Sequence, residues 1–554
     1  MRRWRDLPNA SDSCSEASGH SSREHQPNDL LNETELEGFL EKLGLKENYK
    51  EKLSLINVLQ IDKKAVTEED AKCLSDLPWL FLKKLMMFNV TARNVTFLAC
   101  NESEQDHPHC NADLDLETLL CHEKSGEALN PLDVITALFL CSNGLLQQEM
   151  AVKMAMCQFG LPLLLPDSGT QKHTLMLWAL RGIVKKYRTQ ALLDPKSFIE
   201  KSVVVPGLPM VSFVRLGEGS LSKSQILNTL LSNVQQYNDT FVNREMPCGN
   251  VPRKIADGLV ETSWYLPCGN KNIDIFNEPV AVANLRGDIA LCELQFSFLC
   301  KTSAAVFVFL DNFDSKIELL KKHETEIFLI VNVDSKNFNL KRCQKVLDEL
   351  NLTTKNLILK QKRINNADFA KTLQKFVTEV AQKTDKKKSI EQMAVIAIEL
   401  GIMVDEQTSD CQNAKKNAEA ITSRIKNTAQ YKKEELPRQG SVWKELTDLE
   451  KEECRLTNAG EEDIEKYKCG LNQKKKGLRK EQRDLAISDS MRSFMEAFSC
   501  PAVEQAYFFK WMQIKLDNVS RETVSNLREQ YKLKVRIRAK KNLKTLINNF
   551  LTAL

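Results

Sequence analysis

No stretch of this 554-residue chain stays apolar long enough to cross a bilayer: the densest window, Val134–Leu146, falls short of the roughly 20 residues a spanning helix needs. The 16 cysteines are scattered and include no Cys-x-x-Cys pair, which fits reduced thiols. Neither charge dominates: 78 basic against 74 acidic residues leave +4, a balance that does not demand nucleic acid or an anionic membrane as partner, and nucleic acid is not expected. Met1-Arg-Arg-Trp-Arg-Asp6 is not followed by an apolar core, so no secretory leader is expected. Asn89-Val-Thr and Asn94-Val-Thr should accordingly carry no glycan. These absences point to the cytoplasm, with the nucleus as a second location. Hydrophobic residues make up 42%, ample for buried cores, and the length suggests three or four units at ~150 residues each.

What the chain does contain is one stretch with the order strand, small-residue turn, amphipathic helix. It runs Val211-Ser-Phe-Val-Arg-Leu-Gly217-Glu-Gly219-Ser-Leu-Ser222-Lys223-Ser224 and continues through Ile226, Leu227, Leu230 and Leu231. The turn departs by one residue from the phosphate-loop pattern G-x-x-x-x-G-K-[ST], because Ser222 stands where the second glycine belongs. These residue types suit an anion. Amides of the turn and of the helix N-terminus present partial positive charge to phosphate oxygens. Lys223 would add a full charge at the outer phosphates, and the hydroxyl of Ser224 would sit on Mg²⁺. A serine side chain at 222 narrows the approach, and at positive φ it would cost roughly 1–2 kcal/mol.

Around this stretch the chain divides by pattern. Residues 1–30 are polar and expected to be disordered. Residues 31–96 read as a small helical bundle, with Leu36, Phe39, Leu40, Leu43, Leu45 and Tyr49 in one stripe and closure on Trp79, Leu80 and Leu82. It is similar in outline to a sterile-alpha-motif module, or is simply a helical cap. Residues 97–200 read as a loop followed by helices packed on the next domain. In the loop, His107, His109, Cys110, Cys121 and His122 offer metal-ligand chemistry, but their spacing matches no zinc pattern and an ordinary acidic loop is the preferred reading. The proline of Leu161-Pro-Leu-Leu-Leu-Pro166 is expected to stop a helix, and another helix is expected over Thr174–Lys186.

Residues 201–385 alternate strands and helices. Apolar runs at Val211–Leu216, Pro279–Asn284, Ala304–Asp311, Glu326–Asp334 and Asn356–Lys360 lack alternation, as strands of a parallel sheet do. The fold class expected is an α/β phosphate-loop GTPase-like domain with a mostly parallel sheet, flanked by all-α regions on both sides. Ligand belongs at the carboxyl ends of the strands. There Asn284-x-x-Gly287 stands in the place of a GTPase Asp-x-x-Gly, keeping an acceptor oxygen but not the charge. Val331-Asn332-Val333-Asp334 keeps the aspartate that would accept from a guanine base but lacks the lysine of [NT]-K-x-D. Residues 386–554 read as helical and charged without sustained heptads. Phe494, Phe498, Phe508, Phe509, Trp511 and Ile514 are expected to pack, and Lys532–Lys541 reads as a solvated helix face rather than a nucleic-acid patch.

Four blocks carry a resemblance: Asn130-Pro-Leu-Asp-Val, Arg215-Leu-Gly-x-x-Ser-Leu-Ser-Lys-Ser, Ala256-Asp-Gly-Leu-Val-Glu-x-Ser-Trp264-Tyr-Leu-Pro-Cys-Gly269 and Ala283-Asn-Leu-Arg-Gly-Asp288. Over roughly residues 125–400 the chain resembles the interferon-induced very large GTPases and the related up-regulator of cell proliferation family. The resemblance implies that Ser222 and Asn284 are features of the family's G domain. It further implies GTP and GDP as ligands, cytosolic and nuclear residence, and induction by interferon.

The leading expectation is a GTP-binding protein of the large-GTPase kind. Its site would be Gly217, Gly219, Ser222, Lys223, Ser224, Asn284, Gly287 and Asp334, with Mg²⁺ on Ser224. No residue suggests itself for positioning water, so hydrolysis is expected to be slow or absent. The helical flanks would serve self-association or protein partners. The alternative is an interaction scaffold with a vestigial nucleotide pocket. An ATPase is disfavoured by Asp334.

Overall fold

The computed structural model describes residues 33–60, 71–94, 128–189, 198–233, 237–311, 316–333, 339–361 and 363–553. The tail expected to be disordered, the His107–His122 cluster and Asp334 lie outside them.

The strands in chain order are β1 (Leu161–Asp167), β2 (Lys172–Leu175), β3 (Val184–Tyr187), β4 (Ile199–Ser202), β5 (Leu208–Arg215), β6 (Val260–Tyr265), β7 (Val280–Leu285), β8 (Ala305–Leu310), β9 (Glu326–Asn332), β10 (Leu357–Lys360), β11 (Lys387–Lys388) and β12 (Met403–Val404). One mixed sheet runs β10-β9-β8-β5-β7-β6-β1-β2-β12, with β11 added beside β5, while β3 and β4 pair separately. From β10 to β7 the neighbours are parallel; β6, β1 and β2 then follow antiparallel. The parallel strands are buried on both faces, so β8 reads Ala-Val-Phe-Val-Phe-Leu without a polar position. Along β5 the two faces serve different cores. Met210 and Val214 join the packing shared with the helix Glu293–Thr302, whereas Val211 and Phe213 join that of the helices Lys223–Leu231 and Asn366–Lys383.

The expected α/β class therefore stands in its coarse form, a mixed sheet with parallel strands and many helices. The expectation of wholly helical flanks needs correction. Leu161-Pro-Leu-Leu-Leu-Pro166 is β1 rather than a helix end, and Thr174–Lys186 is divided among β2, the short helix Leu177–Arg181 and β3. Pro162 is tolerated because the register with β6 shifts between Pro162 and Leu164, so its missing N–H falls at an irregularity. On the far side, β11 and β12 return to the sheet. Near the N-terminus, Leu36, Phe39, Leu40, Leu82 and Leu85 are buried as the helical stripe requires, but Trp79 is exposed.

The C-terminal helices dock through a second junction. Trp178 packs with Cys411, Ala414, Tyr507, Phe508 and Trp511, on the helices Ser409–Thr422 and Ala502–Ala553. Of the aromatics expected to pack there, Phe494, Phe498 and Phe509 remain 40–54% exposed. Beneath the junction the amides of Trp178 and Ala179 donate to Asp405 Oδ1 (2.7 Å) and Oδ2 (3.0 Å). Next to it Glu406 accepts from Arg181 Nε (2.5 Å) and Lys415 (3.0 Å). Burial lifts the Asp405 carboxyl to about 7, against the amides of Trp178, Ala179 and Glu406 that hold it down and with the Glu406 charge pushing it further up.

Between the unfolded value of 3.8 and about 7 the folded chain holds a proton the unfolded chain has lost, so stability falls as pH rises through that window. Asp405→Asn should flatten this limb, removing a fall on the order of 2–4 kcal/mol. Chemical denaturation at several pH values between 4 and 8 checks it, and equal slopes in both proteins would count against the assignment.

Candidate nucleotide-binding site

The carboxyl ends of β5, β7, β8 and β9 lie on one side of the sheet and bring four loops together. After β5 comes the 216–222 turn and then the helix Lys223–Leu231, so the strand, loop and helix order expected from sequence is the one that forms. Gly217 takes φ +71, which only glycine adopts cheaply. Ser222 is the helix N-cap at φ −77, so the cost anticipated for a serine there is not incurred. The amides of Glu218, Gly219, Lys223 and Ser224 have no backbone acceptor among the described residues. The Ser220 amide differs, donating to Asp311 Oδ2 (2.6 Å) at the end of β8, and Asn332 Nδ2 at the end of β9 reaches the Ser220 hydroxyl (2.8 Å). Arg215 ties down the outer carbonyls of the loop, donating to Gly219 (3.0 Å) and Leu221.

Lys223 is turned inward. Its ammonium donates to the carbonyls of Phe213 (3.2 Å) and Leu285, joining the ends of β5 and β7. Burial drives its pKa well below the ordinary value, and the positive charges of Arg215, Arg286 and Arg253 add to the effect.

Asn284 and Ser224 meet as their motif positions require, with Asn284 Nδ2 3.4 Å from Ser224 Oγ. Gly287 follows at φ +90. Sequence reasoning passes over the residue between Asn284 and Gly287 that matters most here. Arg286 is buried, its Nη1 donates to Ser224 Oγ (2.7 Å) and to the Val242 carbonyl (2.9 Å), and its Nε donates to Glu261 Oε2 (2.5 Å) on β6. Burial lowers the guanidinium pKa while Glu261 holds it up. Arg286 occupies an unspecified position of the Asn284-x-x-Gly287 motif, and Glu261 belongs to the Trp264 block. An arginine inside the motif and a lone acid in a strand are the signals the sequence offers.

The expected Mg²⁺ can be tested against this donor set. Mg²⁺ wants hard, preferably anionic oxygens in an octahedral arrangement. Here the Ser224 hydroxyl already accepts from Arg286, residue 284 is a neutral amide whose Oδ1 is buried without a partner among the described residues, and the acid at hand, Glu261, is paired with the guanidinium. Among the described residues no group of acids, histidines and cysteines is placed to hold a metal. The expected Mg²⁺ ligation by Ser224 does not fit this arrangement.

The segment joining the helix Lys223–Leu231 to β6 is fastened from outside the core sheet. Arg93, stacked 3.9 Å from the Phe159 ring centroid, donates to the carbonyls of Thr240 (2.7 Å) and Asp239. Asn130 donates to the Val251 carbonyl (2.8 Å). Asp133 accepts the amides of Lys254 (2.8 Å), Ile255 (3.0 Å) and Ala256 (2.9 Å), with burial lifting its carboxyl to about 6 against those three donors. The Asn130-Pro-Leu-Asp block thus anchors residues 251–256 beside the candidate site.

Comparison with known proteins follows the same boundaries in part. The up-regulator of cell proliferation-like domain matches residues 129–422, and its N-terminal domain matches residues 36–113. A third match, to the URGCP-like GTPase domain, falls on residues 450–553. In the described residues that stretch is helical and without a strand, so the phosphate-loop geometry lies inside the 129–422 match instead. Human up-regulator of cell proliferation is 35% identical over 95% of this chain and 60% of its own length. Human interferon-induced very large GTPase 1 is 28% identical over 89% of this chain and 21% of its own length. Human caspase recruitment domain-containing protein 6 is 35% identical over 61% of this chain and 33% of its own length. The chain thus spans 60% of the length of the human up-regulator it matches. With one domain match over more than half its residues, and large-GTPase relatives beside it, the chain belongs to the up-regulator of cell proliferation-like family.

Proposed function

We propose that the chain binds a guanine nucleotide at the 217–224 loop, with slow or absent hydrolysis, and that its helical flanks are interaction elements responsive to the ligand. The observation that carries the reading is the loop itself. Amides that have no backbone acceptor among the described residues, at the start of the helix Lys223–Leu231, stand beside Asn284 and Gly287 at the carboxyl edge of parallel strands. The preference for guanine rests on family membership and on Asp334. Turnover needs a positioned water and neutralised outer phosphates, and the slow or absent hydrolysis of this reading rests on the sequence offering no residue for the first role. Residues 237–256 connect the site to Arg93, Asn130 and Asp133, so a ligand that shifts this segment would be felt in the flanks.

The inward Lys223 favours a second reading, a scaffold whose pocket no longer receives ligand. Titrating the full chain with a fluorescent GTP analogue separates the two. Saturable binding that weakens at least about tenfold in Lys223→Ala, and that GTP displaces better than ATP, supports the proposal. A folded chain that binds no nucleotide supports the scaffold.

A further inference from the structure

In a phosphate-loop site the divalent ion lies between the loop hydroxyl and the residue ending the neighbouring strand, where it neutralises oxygens of the outer phosphates. In this chain a side chain fills that place. Arg286 Nη1 is 2.7 Å from Ser224 Oγ, and Arg286 is the second residue after Asn284, whose own amide is 3.4 Å from the same hydroxyl. The guanidinium is held by three acceptors, namely Ser224 Oγ, the Val242 carbonyl and Glu261 Oε2. Glu261, its counter-ion, is 2% exposed, so the pair is fixed by burial rather than drifting at a surface. One nitrogen of the guanidinium remains: Nη2 is buried without a partner among the described residues.

The charge balance points the same way. Arg215 and Arg286 flank the loop, with Glu261 paired to Arg286 and Asp311 seated on Ser220. A dication added within a few ångströms of a buried guanidinium would be repelled strongly at the low effective dielectric of such a site. A phosphate group would instead meet a permanently charged, planar donor set suited to its oxygens.

Building on the nucleotide-binding reading above, we propose that Arg286 replaces the divalent cation, so that this chain holds the outer phosphates of a guanine nucleotide without Mg²⁺. The Glu261–Arg286 pair is then part of the ligand-binding apparatus, and the serine hydroxyl at 224 orients the guanidinium instead of ligating metal.

The test is an equilibrium titration of the full chain with fluorescent GDP and GTP analogues, in excess Mg²⁺ and in excess EDTA. Dissociation constants agreeing within about fivefold are expected, and a larger loss in EDTA overturns the proposal. The double variant Glu261→Gln/Arg286→Met removes both charges together, so that neither is left buried alone. It should weaken binding at least about tenfold in both buffers, and affinity retained within about fivefold overturns the role of Arg286. Failure of the wild-type chain to bind in either buffer sinks the nucleotide reading and this proposal with it. Binding that requires Mg²⁺ sinks this proposal alone.

Discussion

Glu261→Ala is expected to destabilise the folded chain by about 3–5 kcal/mol, the range seen when one member of a buried ion pair is removed. Glu261 lies on β6 and accepts from Arg286 Nε at 2.5 Å and from Asn284 Nδ2 at 3.4 Å. Without it, Arg286 keeps its hydrogen bonds to Ser224 and Val242 but loses the anion that offsets its desolvation. Arg93 and Lys223 would suffer as well, because the Glu261 carboxylate favours the charged form of both. Replacing Glu261 and Arg286 together by neutral residues of similar size should recover most of the loss, since no uncompensated charge then stays buried. Denaturant midpoints of the single and double variants decide the matter. A single-variant effect below about 1 kcal/mol would mean that water reaches the pair and that its burial is not what holds the loop side of β6 in place.

Trp511→Ala should cost about 3–5 kcal/mol as well, for a different reason: it empties the volume of a fully buried indole at the junction of the C-terminal helices. Trp511 is 1% exposed, and its ring centroid is 5.2 Å from that of Trp178. Arg181 and Lys415 lie 4.9 and 5.1 Å from its ring centroid, so cation–π attraction adds to the packing. The junction is also where Asp405 accepts the Trp178 amide and Glu406 meets Arg181. Loss of the ring should therefore loosen both the apolar and the ionic parts at once. Limited proteolysis is the second readout, with cleavage in the 423–440 connections rising relative to wild type. Unchanged denaturation and cleavage would show that the helix Ser409–Thr422 alone fixes the docking.

The parallel part of the sheet is legible in the sequence because burial on both faces leaves a plain chemical trace. Runs such as Ala305–Leu310 and Glu326–Asn332 are apolar almost throughout. β6 escapes such a reading because Glu261, Thr262 and Ser263 interrupt any apolar run, and Glu261 is buried for the sake of a partner distant in sequence, Arg286. β1 is hidden by its prolines, whose effect on a helix is visible locally while the compensating irregularity against β6 is not. At the site, motif spacing correctly brings Lys223 and Ser224 to the start of one helix and Asn284 to the end of the adjacent strand. It says nothing of where Lys223 points, because that depends on the carbonyls of Phe213 and Leu285, residues of ordinary apolar strands. Arg286 is invisible for a related reason: a motif prescribes its fixed positions and is silent on the residues between them.

The pairing of β6 with β1 bears on any attempt to work with a shortened chain. Excising residues 201–385 would strip β6 of Leu161, Pro162 and Leu164, leaving a raw margin of open amides and carbonyls that invites adhesion between sheets. It would also discard Asp133 and strand the three amides it receives. A dissected piece that precipitates would be reporting its amputated neighbours, not its appetite for nucleotide.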